Sequence, residues 1–366
     1  MQKVSVSNVF KLSGAYIAYL IGSGFATGQE VMQFFASFGI YGIFAAIVSA
    51  LLFCFLGSTL MIKGHDLQLE QPGHIFKYYC GNILGTIIEY FTILFLFSIV
   101  VITIAGTGAV VAQQFHLPNL VGILGMGFIA MITVILGLRK LVDIIGTVGP
   151  VIVVLTIGIC LVVFLQNIGK IPSLNNMPHL AEQVRPTHSW WQSGALFFCY
   201  NILAGTIFFT QLGRQSTSKR EAGLTAFVGA CGLMLTVVFM ILAMLAHAHH
   251  VFHLQVPVLY LGKTISPIVA VIFSVCILLG IYSTTAPMFW LVKNEFLKFI
   301  PKSFNYTLTV ALGIIFILCG MLPFDKLVST VYPFTGYVGA LVVIAIFLRT
   351  LWNSVVPSRS SSSENG

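Results

Sequence analysis

The residues best suited to chemistry lie inside an apolar run. Between Gly22 and Glu30 the sequence reads G-S-G-F-A-T-G-Q-E, within the first long apolar segment of the chain. Glycines loosen a helix, and an acid inside a bilayer is costly and is kept for a function by default. Glu30, with Gln29 beside it, is therefore a candidate proton-coupling or gating group. The alternative is a structural acid held by backbone N–H groups.

An interrupted helix supplies its own binding groups. It exposes unpaired N–H groups at the start of one half-helix and unpaired C=O groups at the end of the other. The N–H end attracts an anion and the C=O end a cation, and such backbone is tolerated at membrane depth only where it lines a cavity. Gly24 and Gly28 could instead serve helix packing, but the hydroxyls of Ser23 and Thr27 favour a binding site.

A second polar interruption is predicted in the sixth apolar run, "SGALFFCYNILAGTIFFTQLG". Its centre holds Tyr200, Asn201, Ala204 and Gly205. Interrupted helices at corresponding positions of two halves of a chain are typical of the solute site in membrane carriers. The alternative is that Asn201 only links two helices by a hydrogen bond.

The eighth apolar run contains "LGIYSTTAP", with Ser283, Thr284 and Thr285 ahead of Pro287. Hydroxyls beside a proline can satisfy the carbonyls that a kink frees. They can also be hard oxygen ligands for an alkali cation, which is the interpretation that we favour. The histidines of "HAHHVFH", 247–253, have no acid or cysteine partner nearby, so we expect interfacial side chains there and no metal site.

The composition defines the elements that must position these residues. Apolar residues make up 58% of the chain and charged residues 8%, whereas soluble domains are about a quarter charged. The chain is therefore an all-α polytopic membrane protein, since a span needs about 20 apolar residues and barrel strands would alternate in polarity. We predict ten spans: 9–38, 40–63, 83–114, 120–138, 141–166, 191–211, 221–247, 264–296, 304–322 and 326–351.

Lysines and arginines predict the orientation of these spans, because they collect on the cytoplasmic side. With the N-terminus inside, fourteen of the 18 lie in cytoplasmic segments and Lys170, Arg185, Lys263 and Lys326 lie outside. The net charge of +8 is thus explained by topology, and nucleic acid is not an expected partner. We predict a multi-pass protein of the cell membrane with both termini cytoplasmic.

The order of the runs predicts an internal repeat. The third and eighth are both long, the fourth and ninth both short, and five spans per half would place the halves in opposite orientations. The predicted organisation is a cytoplasmic N-terminus, 1–8, and one transmembrane domain, 9–351. Within that domain the repeats are 9–166 and 191–351, joined by an outside linker, 167–190. A cytoplasmic tail, 352–366, is predicted to be disordered because it is rich in serine.

The motifs "GSGFATGQEVMQFFASFG", "CYNILAG" and "IYSTTAP" resemble those of the YkvI-type membrane proteins, bacterial relatives of the amino acid–polyamine–organocation superfamily. The resemblance covers about residues 9 to 351, and its first motif is the most specific. It implies ten helices in a five-plus-five inverted repeat, which is the LeuT-like fold.

The resemblance also implies site residues. The first break would offer N–H groups to a solute carboxylate from Gly22, Ser23, Gly24, Phe25, Ala26, Thr27 and Gly28. The sixth would complete the pocket with Tyr200, Asn201, Ala204 and Gly205. A sodium ion would lie among Leu20, Ser23, Thr284 and Thr285. Glu30 departs from the sodium-coupled pattern, which leaves proton coupling open.

The sequence thus favours ion-coupled transport of an amino acid or similar small amphiphile, with Na⁺ or H⁺ as coupling ion and no other cofactor. The alternative is a membrane receptor that binds such a solute without moving it. An enzyme is disfavoured because it would need acids, histidines or lysines clustered near one face in a metal or nucleophile arrangement, and only the outside histidines come close. A nucleotide-driven pump is disfavoured because the chain has no phosphate-binding motif. The solute's identity and the oligomeric state stay open.

Overall fold

The computed structural model describes residues 4–68, 73–137, 142–171 and 177–355. Within these ranges the chain is a bundle of helices, and they contain no strand. The all-α class is therefore confirmed. Four residues that contribute to the predicted charge bias, Lys3, Arg139, Lys140 and Arg359, and the end of the predicted tail lie outside the described residues.

The first predicted span is divided, as its glycines predict. The helix α1 (Val6–Leu20) is followed by α2 (Ser23–Thr27) and α3 (Gln29–Phe34). A single 3₁₀ turn, Ala36–Phe38, ends the segment. Three short helices and this turn together replace one continuous span.

The remaining helices fall where the apolar runs predict them. The second span is formed by α4 (Tyr41–Leu52), a π-helical turn (Phe53–Gly57) and α5 (Ser58–Leu67), and a short helix α6 (His74–Cys80) follows. The third to fifth are α7 (Asn82–Phe115), α8 (Asn119–Leu136) and α9 (Val142–Gln166). The sixth and seventh are α11 (Trp190–Arg214) and α12 (Lys219–Ala246), preceded by α10 (His179–Gln183). After α13 (Ala248–Val251) and α14 (Pro257–Ile265) come α15 (Pro267–Leu297), α16 (Asn305–Cys319) and α17 (Phe324–Val355).

Eight helices in the described ranges are long and apolar enough to cross a membrane. The divided first segment falls short of that length in each of its pieces, and α9 counts as a shorter apolar helix over 151–166. The count of ten spans and the inverted repeat therefore stay predictions.

The predicted break in the sixth span is wrong, because α11 runs from Trp190 to Arg214 without interruption. Asn201 does not open the helix. Its side-chain NH₂ donates to the Phe197 carbonyl one turn earlier, at 2.9 Å, so the amide is satisfied locally. Ala204 is a good helix former, and Gly205 packs against the Phe209 ring.

Small residues explain why α11 carries glycines without breaking. A Cβ on Gly194 would collide with the carbonyl of Ala45 in α4, and one on Gly339 of α17 would collide with the carbonyl of Cys199. Close approach of backbones through small residues is the usual way in which membrane helices pack. The helix α11 is thereby fixed between α4, α5 and α17, with its middle turned toward the break in the first segment.

The start of α1 is fastened to the start of α12. The Glu221 carboxylate accepts from the Ser5 backbone N–H at 3.1 Å and from the Thr217 hydroxyl at 2.8 Å. Further along α1, the Ser13 hydroxyl donates to the Thr225 carbonyl at 2.9 Å. These contacts hold α1 at the end of the bundle that is predicted to be cytoplasmic.

A reporter fusion checks that orientation. Alkaline phosphatase joined to the C-terminus is expected to be inactive, because the bias of lysine and arginine predicts a cytoplasmic C-terminus and the enzyme needs the oxidising exterior for its disulfides. A fusion after Ile265, between α14 and α15, serves as the control and is expected to be active. A strongly active C-terminal fusion in properly inserted protein would overturn the even number of spans.

A candidate ligand site at the break in the first helix

The break has two parts, one at each end of α2. After Leu20 the chain leaves the helix at Gly22, whose backbone is extended (φ −88°, ψ −173°). At Gly28 it turns through the left-handed region (φ 84°) before α3 begins. Glycine adopts that conformation readily. A Cβ there would also meet Val258 at 2.5 Å and Met244 at 2.7 Å, so the second turn requires glycine.

Glu30, in the first turn of α3, points back across this break. Its side chain is 3% exposed, and the Tyr200 hydroxyl donates to Oε2 at 2.6 Å. The Tyr332 hydroxyl and the Phe25 backbone amide also approach the carboxyl group. Glu30 lies so close over Gly24 that a Cβ on Gly24 would collide with Oε1. The acid is thus held at the centre of the site by hydrogen-bond donors and by the absence of a side chain at Gly24.

A cleft opens beside Glu30. Its cavity volume is about 50 Å³, smaller than the usual small-molecule site, so the lining side chains must move apart to admit a solute. Its walls come from α1, the break, α3, α7, α11, α15 and α17, and its lining residues are Tyr19, Leu20, Gly22, Glu30, Phe95, Ile99, Tyr200, Asn201, Thr284, Met288 and Tyr332. The structure therefore brings Leu20, Gly22, Glu30, Tyr200, Asn201 and Thr284, all named from sequence, into one cleft.

The other residues of the first motif lie behind the cleft wall. Ser23, Gly24, Phe25, Ala26 and Thr27 form α2 and are buried, and the Thr27 hydroxyl donates to the Gly24 carbonyl at 3.1 Å. The Ser23 hydroxyl is buried near that of Tyr332 but makes no hydrogen bond of good geometry. Because buried hydroxyls are nearly always paired, Ser23 has bonding capacity to offer a ligand.

In α11, the two small residues named from sequence act differently from the prediction. The Ala204 carbonyl accepts a hydrogen bond from the Tyr19 hydroxyl at 2.9 Å, which ties the end of α1 to α11. Gly205 is buried against Phe209. Neither residue lines the cleft, so Tyr200 and Asn201 are what α11 contributes to it.

The hydroxyls of α15 bond to their own helix. Ser283 donates to the Gly280 carbonyl at 2.7 Å, and Thr285 donates to the Ile281 carbonyl at 2.7 Å. Thr284 makes only a long contact, 3.4 Å, with the Gly280 carbonyl, and it faces the cleft. Each oxygen keeps a lone pair that could bind a cation, so both interpretations of this motif remain open.

The cleft has a more exposed part and a buried part. Tyr19, Asn201, Thr284 and Met288 are half-buried, whereas Glu30 and Tyr332 are buried. The acid therefore lies in the buried part of the cleft.

Two glutamines of α3 do not line the cleft and join α3 to neighbouring segments. The Gln33 side-chain NH₂ donates to the Asp325 backbone carbonyl at 3.2 Å. The Gln29 amide, oriented so that its NH₂ faces acceptors, donates to the Leu254 and Gln255 carbonyls at 3.2 and 3.1 Å and accepts from Gln33. Gln255 in turn donates to the Asp325 carboxylate at 3.0 Å. We call this network, formed by Gln29, Gln33, Leu254, Gln255 and Asp325, the outer seal.

Tyr332 is the functional residue that the sequence does not reveal. Its ring stacks on that of Tyr200 with centroids 4.7 Å apart and planes 6° apart, and its hydroxyl approaches the Glu30 carboxyl group. The one signal in the sequence is a tyrosine directly before Pro333 within an apolar run. That signal does not say which helix faces which, so it could not place Tyr332 at the site.

The histidines 247–253 lie outside this cleft, and their position at the membrane interface stays a prediction. The rings of His247 and His250 both contact Tyr260, with centroids 5.9 and 5.7 Å apart. The part of the chain that the structure describes contains no group of three His, Cys, Asp or Glu side chains placed to hold a metal ion.

No protein-family model matches the chain. It is 22% identical over 349 residues to the uncharacterized membrane protein YkvI of Bacillus subtilis (strain 168), an alignment that covers 94% of this chain and 97% of that protein. It is also 22% identical over 332 residues to the uncharacterized protein YyaD of the same organism, covering 90% and 93%. The resemblance to YkvI that the motifs indicate thus extends over nearly the whole length of both proteins.

Solved structures share the fold. A manganese transporter of Eremococcus coleocola, in complex with an aromatic bis-isothiourea substituted compound, is 15% identical, with a TM-score of 0.52 and coverage of 94% of this chain and 85% of that one. A variant of the same transporter is 14% identical, with a TM-score of 0.52 and coverage of 97% and 89%. The chain is therefore similar to membrane proteins along nearly its whole length and has the helical fold of a solved transporter.

Proposed function

We propose that the protein is a secondary carrier of the cell membrane that moves a small amphiphilic solute, such as an amino acid or a related amine, in exchange or together with an ion. One observation carries the proposal. The first helix is broken in the middle of the bundle, and a buried acid beside the break faces a cleft.

This arrangement suits alternating access. A carrier must expose one central site to each side of the membrane in turn, and discontinuous helices at the midplane commonly form that site. We propose that the cleft gives access to Glu30 from the predicted cytoplasmic end and that the outer seal blocks the other end. A movement that opens the seal and closes the cleft would complete the cycle.

The shared fold supports a carrier, because the similar solved structures are those of a transporter and not of an enzyme. The class of solute has to be argued from the residues that line the cleft. Manganese ions favour several oxygen ligands, whereas Glu30 is the one carboxylate among the lining residues. The aromatic side chains of Tyr19, Phe95, Tyr200 and Tyr332 suit a solute with an apolar body, so a small amphiphile fits the cleft better than a metal ion.

The coupling ion has two candidate sites. A sodium ion would use the Leu20 carbonyl and the hydroxyls of Ser23, Thr284 and Thr285, which supply the hard oxygens that such an ion needs. A proton would use Glu30, as an acid buried in a membrane protein commonly does. We propose coupling to one of these two ions, and removal of the Thr284 and Thr285 hydroxyls separates them.

Reconstituted protein tests the carrier against the receptor. Proteoliposomes that contain the full chain are expected to accumulate a labelled small amphiphile above its outside concentration when a sodium or proton gradient is imposed. An ionophore that dissipates the gradient should abolish the accumulation, and protein-free vesicles control for leakage. If the solute binds to purified protein but vesicles neither take it up nor exchange it, the carrier hypothesis is rejected in favour of a membrane receptor.

A further inference from the structure

The charge of the cleft is the first observation that bears on the class of solute. Of the eleven residues that line it, Glu30 is the one carboxylic acid, and none is a lysine, an arginine or a histidine. A solute carboxylate in this cleft would therefore meet a like-charged group and no basic side chain. A positively charged group would meet a partner.

The position of Glu30 is the second observation. The resemblance assigns the backbone N–H groups of Gly22 to Gly28 to a solute carboxylate. In the structure the protein's own carboxyl group lies over Gly24 and approaches the Phe25 amide. The place next to these N–H groups is thus already filled, and a second anion would have to displace the first.

The aromatic walls are the third observation. The stacked rings of Tyr200 and Tyr332 hold their hydroxyls at the carboxyl group, and the Phe95 ring meets that of Tyr332 edge to face, with centroids 6.4 Å apart. Aromatic faces attract ammonium groups, most strongly where water is excluded. They also accept an apolar body.

We propose that the cleft recognises its solute by an ammonium group, which pairs with the Glu30 carboxylate beside the hydroxyls of Tyr200 and Tyr332. A buried carboxylate without a cation is costly, and the two tyrosine hydroxyls compensate only part of that cost. An ammonium group supplies the missing charge and up to three N–H donors. This inference rests on the proposed function only for the claim that the bound amine is also transported.

Three probes built on one carbon skeleton test the inference on the purified full chain in lipid nanodiscs. Isopentylammonium carries only the cation, 4-methylpentanoate only the carboxylate, and leucine carries both. Isothermal titration and thermal unfolding are read together, because a ligand that binds the folded state raises its apparent stability. We expect isopentylammonium to bind, leucine to bind more weakly, and 4-methylpentanoate to leave the protein unchanged.

Variants connect binding to Glu30. Glu30→Gln removes the charge and keeps the shape, so the affinity for isopentylammonium is expected to fall at least about tenfold. Glu30→Asp keeps the charge on a shorter side chain, so its affinity for isopentylammonium is expected to lie between those of the wild type and Glu30→Gln. This intermediate affinity would show that the loss in Glu30→Gln comes from the missing charge and not from misfolding of the site. The control is Glu89→Gln, an acid of α7 that is paired with Lys77 at 3.6 Å and lies outside the cleft. It is expected to bind like the wild type.

Other results would overturn the inference. Binding of 4-methylpentanoate, or of leucine more tightly than isopentylammonium, would assign a carboxylate to the site. Binding of Mn²⁺ that Glu30→Gln abolishes, with no binding of isopentylammonium, would assign a metal ion. In both cases the proposed carrier function is retained if vesicles still take up the bound compound. Conversely, if the amine binds but is neither taken up nor exchanged, the inference about the ammonium group is retained and the carrier function is rejected.

Discussion

Uptake by the Gly24→Ala variant is expected to fall at least about tenfold, while the protein remains folded. A Cβ at this position would occupy the space of the Glu30 carboxyl group, which the Tyr200 hydroxyl holds from the other side. The carboxyl group must therefore move, and the cleft loses the group that faces the solute. Alanine favours a helix over glycine by about 1 kcal/mol, so the loss would not come from a weaker α2.

Gly14→Ala is the matched control, because Gly14 lies in α1 and a Cβ there would have no neighbour within 4 Å. It is expected to transport like the wild type and to be slightly more stable. Labelled-solute uptake by proteoliposomes, with thermal unfolding in parallel, measures both variants. Wild-type kinetics in Gly24→Ala would move the solute site away from Glu30.

Loss of sodium dependence in the Thr284→Val and Thr285→Val double variant is the second large expected effect. Valine keeps much of the threonine shape but lacks the hydroxyl oxygen. If these oxygens bind Na⁺, their loss weakens ion binding, and the coupled binding of solute weakens by the same factor. Titration of solute at several sodium concentrations should then give one curve where the wild type gives a family of curves.

Ser283→Ala is the control for the double variant. Ser283 bonds to the Gly280 carbonyl at 2.7 Å as part of the same helix, and it does not line the cleft. Its removal tests whether loss of any hydroxyl near Pro287 disturbs α15. Sodium dependence that persists in the double variant would assign the hydroxyls of Thr284 and Thr285 to the structure of the helix.

Solute binding that ignores sodium but changes with pH would make Glu30 the coupling group. The other titratable groups that line the cleft are Tyr19 of α1, Tyr200 of α11 and Tyr332 of α17, whereas the lining residues of α7 and α15 include none. Binding that weakens as pH rises means that a proton and the solute bind together. Binding that strengthens as pH rises means that a proton and an ammonium group compete for one carboxylate. Glu30→Gln should remove either dependence.

The break in the first helix could be predicted from sequence because its cause is local. Gly28 adopts a left-handed backbone that other residues avoid, and Gly22, Ser23 and Gly24 precede an acid in an otherwise apolar run. The same reasoning failed in the sixth apolar run, where α11 is continuous. Ala204 and Gly205 have the composition of a break, but close packing of helices demands the same small residues.

The partners of Glu30 were only half predictable. Tyr200 stood out because it lies beside Asn201 in an apolar run, whereas Tyr332 resembles any other tyrosine near the middle of a span. The outer seal was also beyond the sequence, because Gln33 bonds to the backbone of Asp325, 292 positions along the chain. Contacts of this kind depend on how helices are arranged, and periodicity carries no information about that arrangement.

The helix α3 is only six residues long, yet it carries both the acid of the cleft and the two amides of the outer seal. So short a helix moves as one rigid piece unless its backbone hydrogen bonds break. Any displacement that separates Gln29 from Leu254 and Gln255, and Gln33 from Asp325, therefore carries Glu30 with it and lengthens its contact with Tyr200. Binding of a solute at Glu30 and opening of the outer seal are therefore coupled through this one segment. The free energy by which solute binding changes the opening of the seal equals the free energy by which opening changes solute binding.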